Sequence, residues 1–302
     1  MKDSFHPRSP ALLKTPMTTQ MPPPHIGRVA LAVADIERSI RFYSDVIGLA
    51  LLARDGNDAQ MGAGDAPLLL LHGRPGLSPV RRATGLYHFA LLLPSRADLG
   101  DALQHYVDAN APIGGFADHA VSEAIYLTDP DGHGIEVYRD RPREEWTYRN
   151  GQIAMGTDPI DLQGIIDELK GQPQLPPKMA PGTFVGHIHL QVAEIPATEA
   201  FYADLLGMDR LMRYGGRATF LSYNGYHHHV GGNTWAGEGL AAAPDDAARL
   251  LWFEIVQPGA AAVATAADRL SAAGYTAEPG ADDLWTVDPS EIRVLLTTND
   301  ER

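Results

Sequence analysis

One stretch near the start of the chain returns at its midpoint. Ile26-Gly-Arg-Val-Ala-Leu-Ala-Val-Ala-Asp-Ile36 aligns without a gap with Val185-Gly-His-Ile-His-Leu-Gln-Val-Ala-Glu-Ile195. The register continues to Phe42-Tyr43 and Phe201-Tyr202, then to Gly48 and Gly207. An ungapped match of this length reads as internal duplication, and a duplicated chain folds as repeated units that pack on one another. Looser matches extend the period. Leu86-Tyr-His-Phe89 aligns with Leu250-Leu-Trp-Phe253, Tyr126-Leu-Thr-Asp-Pro130 with Trp285-Thr-Val-Asp-Pro289, and Ile135-Glu136-Val137 with Ile292-Arg293-Val294. The chain therefore carries four copies of one unit.

Local patterns give the unit its plan. Ile26–Val33 alternates and carries β-formers, so it predicts a strand. Asp35 is placed to cap a helix over Ile36–Ile47, which Gly48 ends. Two or three short strands follow to Leu71, and the Gly-Pro-rich stretch 73–80 reads as a loop. In the second unit, Leu86–Leu93 is a strand and Asp98–Asn110 a helix with Leu99, Leu103, Tyr106 and Val107 on one face. Strands Ala124–Thr128 and Gly134–Tyr138 flank an Asp-Pro-Asp-Gly turn. The predicted fold class is α+β, with four β-α-β-β-β units whose paired copies curve mixed sheets around a cleft. The expected division is a flexible tail at 1–24, a first domain at 25–142 (units 26–75 and 84–142), a linker at 143–183 and a second domain at 184–298 (units 184–235 and 248–298). The linker holds one helix, Leu162–Leu169, and an extended Pro-rich stretch, Pro173–Pro181.

Composition excludes several kinds of chemistry. Among 302 residues there is no cysteine, which rules out disulfides, Fe–S clusters, cysteine zinc sites and thiol nucleophiles. A net charge of −14 repels phosphate backbones and argues against nucleic acid as a partner. The N-terminus has no apolar run long enough for a signal peptide or membrane span, so a cytoplasmic location and no membrane partner are expected.

Units opened by His-x-x-Leu-x-Val and Phe-Tyr resemble the vicinal oxygen chelate superfamily, the glyoxalase/bleomycin resistance/dioxygenase fold. A denser signal runs from His119 through Tyr126, Pro130 and Gly132 to Glu136. It resembles two-domain type I extradiol ring-cleaving dioxygenases of the catechol 2,3-dioxygenase kind. Ala117 departs from that pattern, at a position through which no chemistry passes.

The resemblance implies Fe(II), or in some members Mn(II), held by two imidazoles and one carboxylate, with the opposite face open to an aromatic diol and O2. It also implies ligands at His88, Glu136 and His187. Arg28 stands where His187 would be in the first unit, and Trp252 and Arg293 stand for His88 and Glu136 in the fourth. Pairing units in chain order leaves two broken half-sites. Pairing two with three and one with four gives one complete triad and one empty half, and the crossed pairing is the expectation. In this family Tyr126 hydrogen-bonds substrate, His228 of the Tyr226-His-His-His-Val230 run is the acid/base, and His119 stands near the substrate hydroxyls. Strand alternation would turn His227 and His229 away from His228, so the choice among the three stays open. His189 is placed to line the cleft. His133 is expected in solvent, and His6, His25 and His105 without a role. Homo-oligomers are common in the family. Rival readings are hydroquinone cleavage, a glyoxalase-type isomerase, and a non-catalytic protein that binds an aromatic ligand in the cleft.

Overall fold

Among the described residues, sixteen main strands follow the repeat, four to a unit. The first unit gives β1 (His25–Val33), β2 (Ala50–Asp55), β3 (Asp58–Ala63) and β4 (Ala66–Gly73). The second gives β5 (Gly85–Leu92), β6 (Ile113–Asp118), β7 (Ser122–Thr128) and β8 (Gly134–Asp140). The third gives β9 (Phe184–Gln191), β10 (Asp209–Tyr214), β11 (Ala218–Ser222) and β12 (Val230–Asn233), and the fourth β13 (Ala247–Gln257), β14 (Glu278–Pro279), β15 (Leu284–Val287) and β16 (Arg293–Thr298). Helices α1 (Ile36–Arg41), α2 (Arg96–Asp108), α4 (Ile195–Glu199) and α5 (Ala260–Ala272) follow the opening strand of each unit, and α3 (Leu162–Asp167) lies in the connection. The structure is a computed structural model and describes residues 24–80, 82–149, 152–170, 178–280 and 283–298. The expected tail and most of the Pro173–Pro181 stretch lie outside the described residues.

Two curved mixed sheets result. One runs β14-β15-β16-β13-β1-β4-β3-β2, the other β10-β11-β12-β9-β5-β8-β7-β6. Each takes one unit from each half of the chain, the first with the fourth and the second with the third. The central joint is antiparallel in both, β1 with β13 and β9 with β5. Alternate residues of each strand face the helices and build the main core, among them Phe89, Leu91, Ile135, Val137, Ile188 and Leu190. The intervening residues face the concave side.

Several local expectations are corrected. The helix from Ile36 is α-helical only to Arg41; Phe42–Ile47 is π-helical, and Ala200–Leu205 repeats this in the third unit. The wider turn leaves adjacent Phe42 and Tyr43 both buried. Helix α2 starts before Asp98 because Ser95 accepts the Asp98 amide and caps it. Val107, expected on its apolar face, is exposed. The 73–80 stretch is not all loop, since Ser78–Pro79 pairs with β13. Among the described residues no helix is long and apolar enough to cross a membrane.

The repeat also links the sheets. The Tyr43 hydroxyl donates to Asp129 Oδ2 and the Tyr202 hydroxyl to Asp288 Oδ2, both at 3.0 Å. Each tyrosine belongs to one sheet and its aspartate to the other. Tyr43→Phe and Tyr202→Phe should each lower the unfolding free energy by about 1–2 kcal/mol, measured by chemical denaturation.

Candidate metal centre

The ladder register of the second sheet lines up the chemistry. His187 on β9 stands opposite Ala90 on β5, Ala90 opposite Glu136 on β8, Glu136 opposite Tyr126 on β7, and Tyr126 opposite Gly115 on β6. Residues paired across a ladder share a face, so this row points into the concave side. His88 stands one step along β5, opposite His189. Two small residues make room. Ala90, on the strand of His88, lies between His187 and Glu136. Gly186 lies against Tyr138, where an added Cβ would stand 1.9 Å from the Tyr138 hydroxyl oxygen. That close approach accounts for the glycine of Val185-Gly186-His187.

Three donor atoms converge. Glu136 Oε2 is 3.0 Å from His88 Nε2 and 3.2 Å from His187 Nε2, and the two nitrogens are 3.4 Å apart. All three residues are buried. Ligand atoms at about 2.1 Å from a divalent cation lie roughly 3.0 Å apart at right angles and roughly 3.4 Å apart at tetrahedral angles. The observed triangle falls in that range. Protonation suits it too. Burial pushes His187 down to about 4, which leaves its imidazole neutral. Burial would raise Glu136, but His187 and His88 hold it well below the usual carboxylate range. A deprotonated carboxylate and a neutral imidazole are what a cation requires. His187, His227 and His228 form a second cluster of nitrogen donors, but the Nδ1 atoms of His227 and His228 already bond each other at 2.8 Å.

The other sheet fills the same place. Arg28 Nε donates to Glu254 Oε2 at 2.9 Å, and Trp252 packs edge-on against Trp285, with ring centroids 5.5 Å apart. The register places Glu254 opposite Leu295, and Leu295 opposite Trp285. Leu295, rather than Arg293, is thus the counterpart of Glu136. The two turns have equal length, as the Asp129 amide bonds the His133 carbonyl and the Asp288 amide the Ile292 carbonyl. The looser alignment at Arg293 was two residues out. Arg293 instead lies over the Trp285 ring at 4.7 Å.

Tyr126 and His119 meet. His119 Nδ1–H donates to the Gly156 carbonyl at 2.6 Å, which leaves Nε2 to accept the Tyr126 hydroxyl, also at 2.6 Å. Burial, reinforced by Glu136, keeps Tyr126 protonated far above its ordinary range.

The triple histidine does not alternate, because residues 227–229 precede β12 and are not in a strand. His228 and His227 both turn toward His187, with ring centroids 4.0 and 5.8 Å from it. His229 turns away, its Nδ1 accepting the Tyr223 amide at 3.1 Å. His227 Nε2–H donates to Asp140 at 2.9 Å, and its Nδ1 accepts from His228 Nδ1–H. His228 is left with a free Nε2 lone pair. Burial pushes His228 well below the ordinary histidine range. The sequence carried no sign of Asp140, which sits four residues past Glu136 on the same strand. His189 does line the cleft, 5.1 Å from His88 ring to ring. His133 is buried against Asp129 rather than solvated, because the tight turn folds it back at 2.8 Å. His25 is also buried.

Similarity to known proteins adds to this geometry. A family profile, Glyoxalase/Bleomycin resistance protein/Dioxygenase superfamily, matches residues 25–137. The catechol-2,3-dioxygenase of Bacillus subtilis (strain 168) is 41% identical over 270 residues, covering 88% of this chain and 94% of that protein. The chain belongs to the glyoxalase/bleomycin resistance protein/dioxygenase superfamily. Solved structures share the fold of this superfamily member. A Bacillus subtilis subsp. subtilis str. 168 protein provisionally described as a dioxygenase superposes with TM-score 0.65 at 12% identity, over 93% of this chain and 87% of its own. Glyoxalase I from Zea mays does so with TM-score 0.55 at 16% identity, over 91% and 92%.

Burial of His187 and His229 makes metal-free stability depend on pH. They are pushed down to about 4 and about 3 from 6.5, and burial is the main cause for both. A base depressed in the fold stabilises it above the unfolded value, and that contribution is lost as pH falls. These two histidines should therefore contribute a drop in the unfolding free energy of the metal-free protein of on the order of 2–3 kcal/mol per pH unit from about pH 6.5 to 4. Urea titrations across that range test it, and His229→Asn should remove about one proton from the slope.

Proposed function

We propose that this protein is an Fe(II)-dependent extradiol ring-cleaving dioxygenase that opens a catechol-type diol with O2, using His88, His187 and Glu136 as ligands. The likeness to a catechol-2,3-dioxygenase over most of the chain makes it an enzyme of the extradiol dioxygenase type. The observation that carries the ligand assignment is the buried triangle of His88 Nε2, His187 Nε2 and Glu136 Oε2, with edges of 3.0 to 3.4 Å. Mn(II) suits the same donors. The second and third units form the working half of the molecule, and the first and fourth its frame.

Iron bound at these residues would supply a Lewis acid for two adjacent diol oxygens and a path for electrons from diol to O2. The chain's own residues do the rest. His228 Nε2, whose lone pair the Asp140–His227 chain leaves free, takes a proton from the diol and returns it later. Tyr126, still protonated, offers its oxygen as a hydrogen-bond partner to the bound diol, and His119 fixes the direction of its hydroxyl hydrogen. Helices and sheet close the inner side of the site, so these groups act away from bulk water. The single carboxylate among the ligands and the free His228 base favour this chemistry over a glyoxalase-type isomerisation.

The test is anaerobic loading with Fe(II), then catechol and air, watched for a yellow ring-opened product. The parent should bind about one iron and form product. His88→Ala should lose both. His228→Ala should keep iron and lose about 10²–10⁴ in kcat. Arg28→Met/Glu254→Met, which removes the buried ion pair of the other sheet as a unit, should keep iron and product. A parent that binds no iron sinks the proposal.

A further inference from the structure

A cavity of about 660 Å³ opens beside the ligands, with His88 and Tyr126 in its wall. A cavity of about 150 Å³ already accepts benzene, so a single diol ring fills roughly a quarter of it. The remaining space runs outward past Leu86, Phe116 and Leu250 to Val80 and Trp235.

Aromatic and apolar side chains make up part of the walls of that space, with Thr84, Gln191 and Arg249 among the polar ones. Tyr87 and Trp235 meet edge-on with centroids 5.2 Å apart, and the Tyr87 ring lies 5.3 Å from that of His88. Gly115 stands opposite Tyr126 on the same face, and a Cβ added there would meet nothing within 4 Å. The backbone of β6 thus leaves a gap beside the catalytic tyrosine that any larger residue would fill.

The charges along the described lining are already engaged. Arg249 pairs with Asp245, and Asp131 with Arg38 at 2.5 Å. Arg82 stands near Gly237, outside the lining. An anionic substituent would lose its water beside charges of the described lining that are already paired.

We infer that the substrate is a catechol carrying a bulky, uncharged, apolar substituent seated between Gly115 and the Tyr87–Trp235 pair. This rests on the extradiol reading and adds the chemical class to it. Apolar burial in such a pocket discriminates by about tenfold or more for each group that finds a place.

The experiment compares kcat/KM of the iron-loaded protein for catechol, 2,3-dihydroxybiphenyl, 4-tert-butylcatechol and 3,4-dihydroxyphenylacetate. At least one bulky uncharged diol should exceed catechol by about tenfold, and the carboxylate should fall below catechol. Gly115→Val should reduce the ratio of bulky diol to catechol by about tenfold, while Trp235→Phe moves that ratio less. Catechol or the carboxylate as best substrate, or a ratio unmoved by Gly115→Val, overturns the inference. A second arm needs no turnover. Anaerobic titration should quench tryptophan fluorescence at lower concentration with the biphenyl diol than with catechol, and Trp235→Phe should remove most of the signal. If every diol binds and none is opened, the dioxygenase reading fails and the order of affinities still decides the substrate class.

Discussion

The pairing of β9 with β5 is the contact on which the candidate centre depends. His88 and His187 are 99 positions apart in the chain, yet their Nε2 atoms stand 3.4 Å from each other. The antiparallel register puts His187 opposite Ala90 and hence in one row with Glu136. A slip of one residue along that joint would turn every side chain of β9 to the other face. The joint is fixed because Ile188 and Leu190, between and beside the histidines, are buried in the main core. Hydrophobic burial thus sets the position of the polar donors, and the donors need not supply that energy themselves.

The two sheets show what separates a reactive concave face from a structural one. Their strand orders are the same, and each has a glycine one residue before the position of His187 or Arg28. In one sheet Ala90 leaves space between a histidine and a glutamate. In the other Glu254 occupies that place and binds Arg28, with two tryptophans beside it. A buried carboxylate needs compensation in either setting. Arg28 compensates Glu254 directly, whereas Glu136 faces two imidazoles and no guanidinium, which suits it to a cation. The Tyr43–Asp129 and Tyr202–Asp288 bonds tie the sheets together symmetrically, so the working half is braced by the filled one.

Around the triangle, hydrogen bonds settle which nitrogen does what. Carbonyl and carboxylate acceptors at Gly156 and Asp140 fix the tautomers of His119 and His227. Those in turn fix the proton of Tyr126 and the free lone pair of His228. The orientation of these hydrogen bonds follows from two acceptors that lie outside the row of candidate donors. Outward from the row the polar groups give way to aromatic rings and a glycine, so the site has a polar floor and an apolar mouth.

The sequence alone determined the repeat, the fold class and the residue types able to bind a metal, because these rest on local periodicity and on a motif with tight spacing. The candidates His88, His187, Glu136, Tyr126, His119 and His228 were all legible in it, and the structure brings them to one concave face. The counterpart of Glu136 in the fourth unit was misread as Arg293, since one Ile-x-Val match outweighed an equal turn length that only the Asp129 and Asp288 amide bonds reveal. The burial of His133 and the shared direction of His227 and His228 were also out of reach, because both lie in turns where strand alternation does not apply. Asp140, Tyr87 and Gly115 gave no local signal. Their placement comes from strand register and from a ladder irregularity beside Tyr87, and register is decided by the packing of whole sheets rather than by any neighbouring residues.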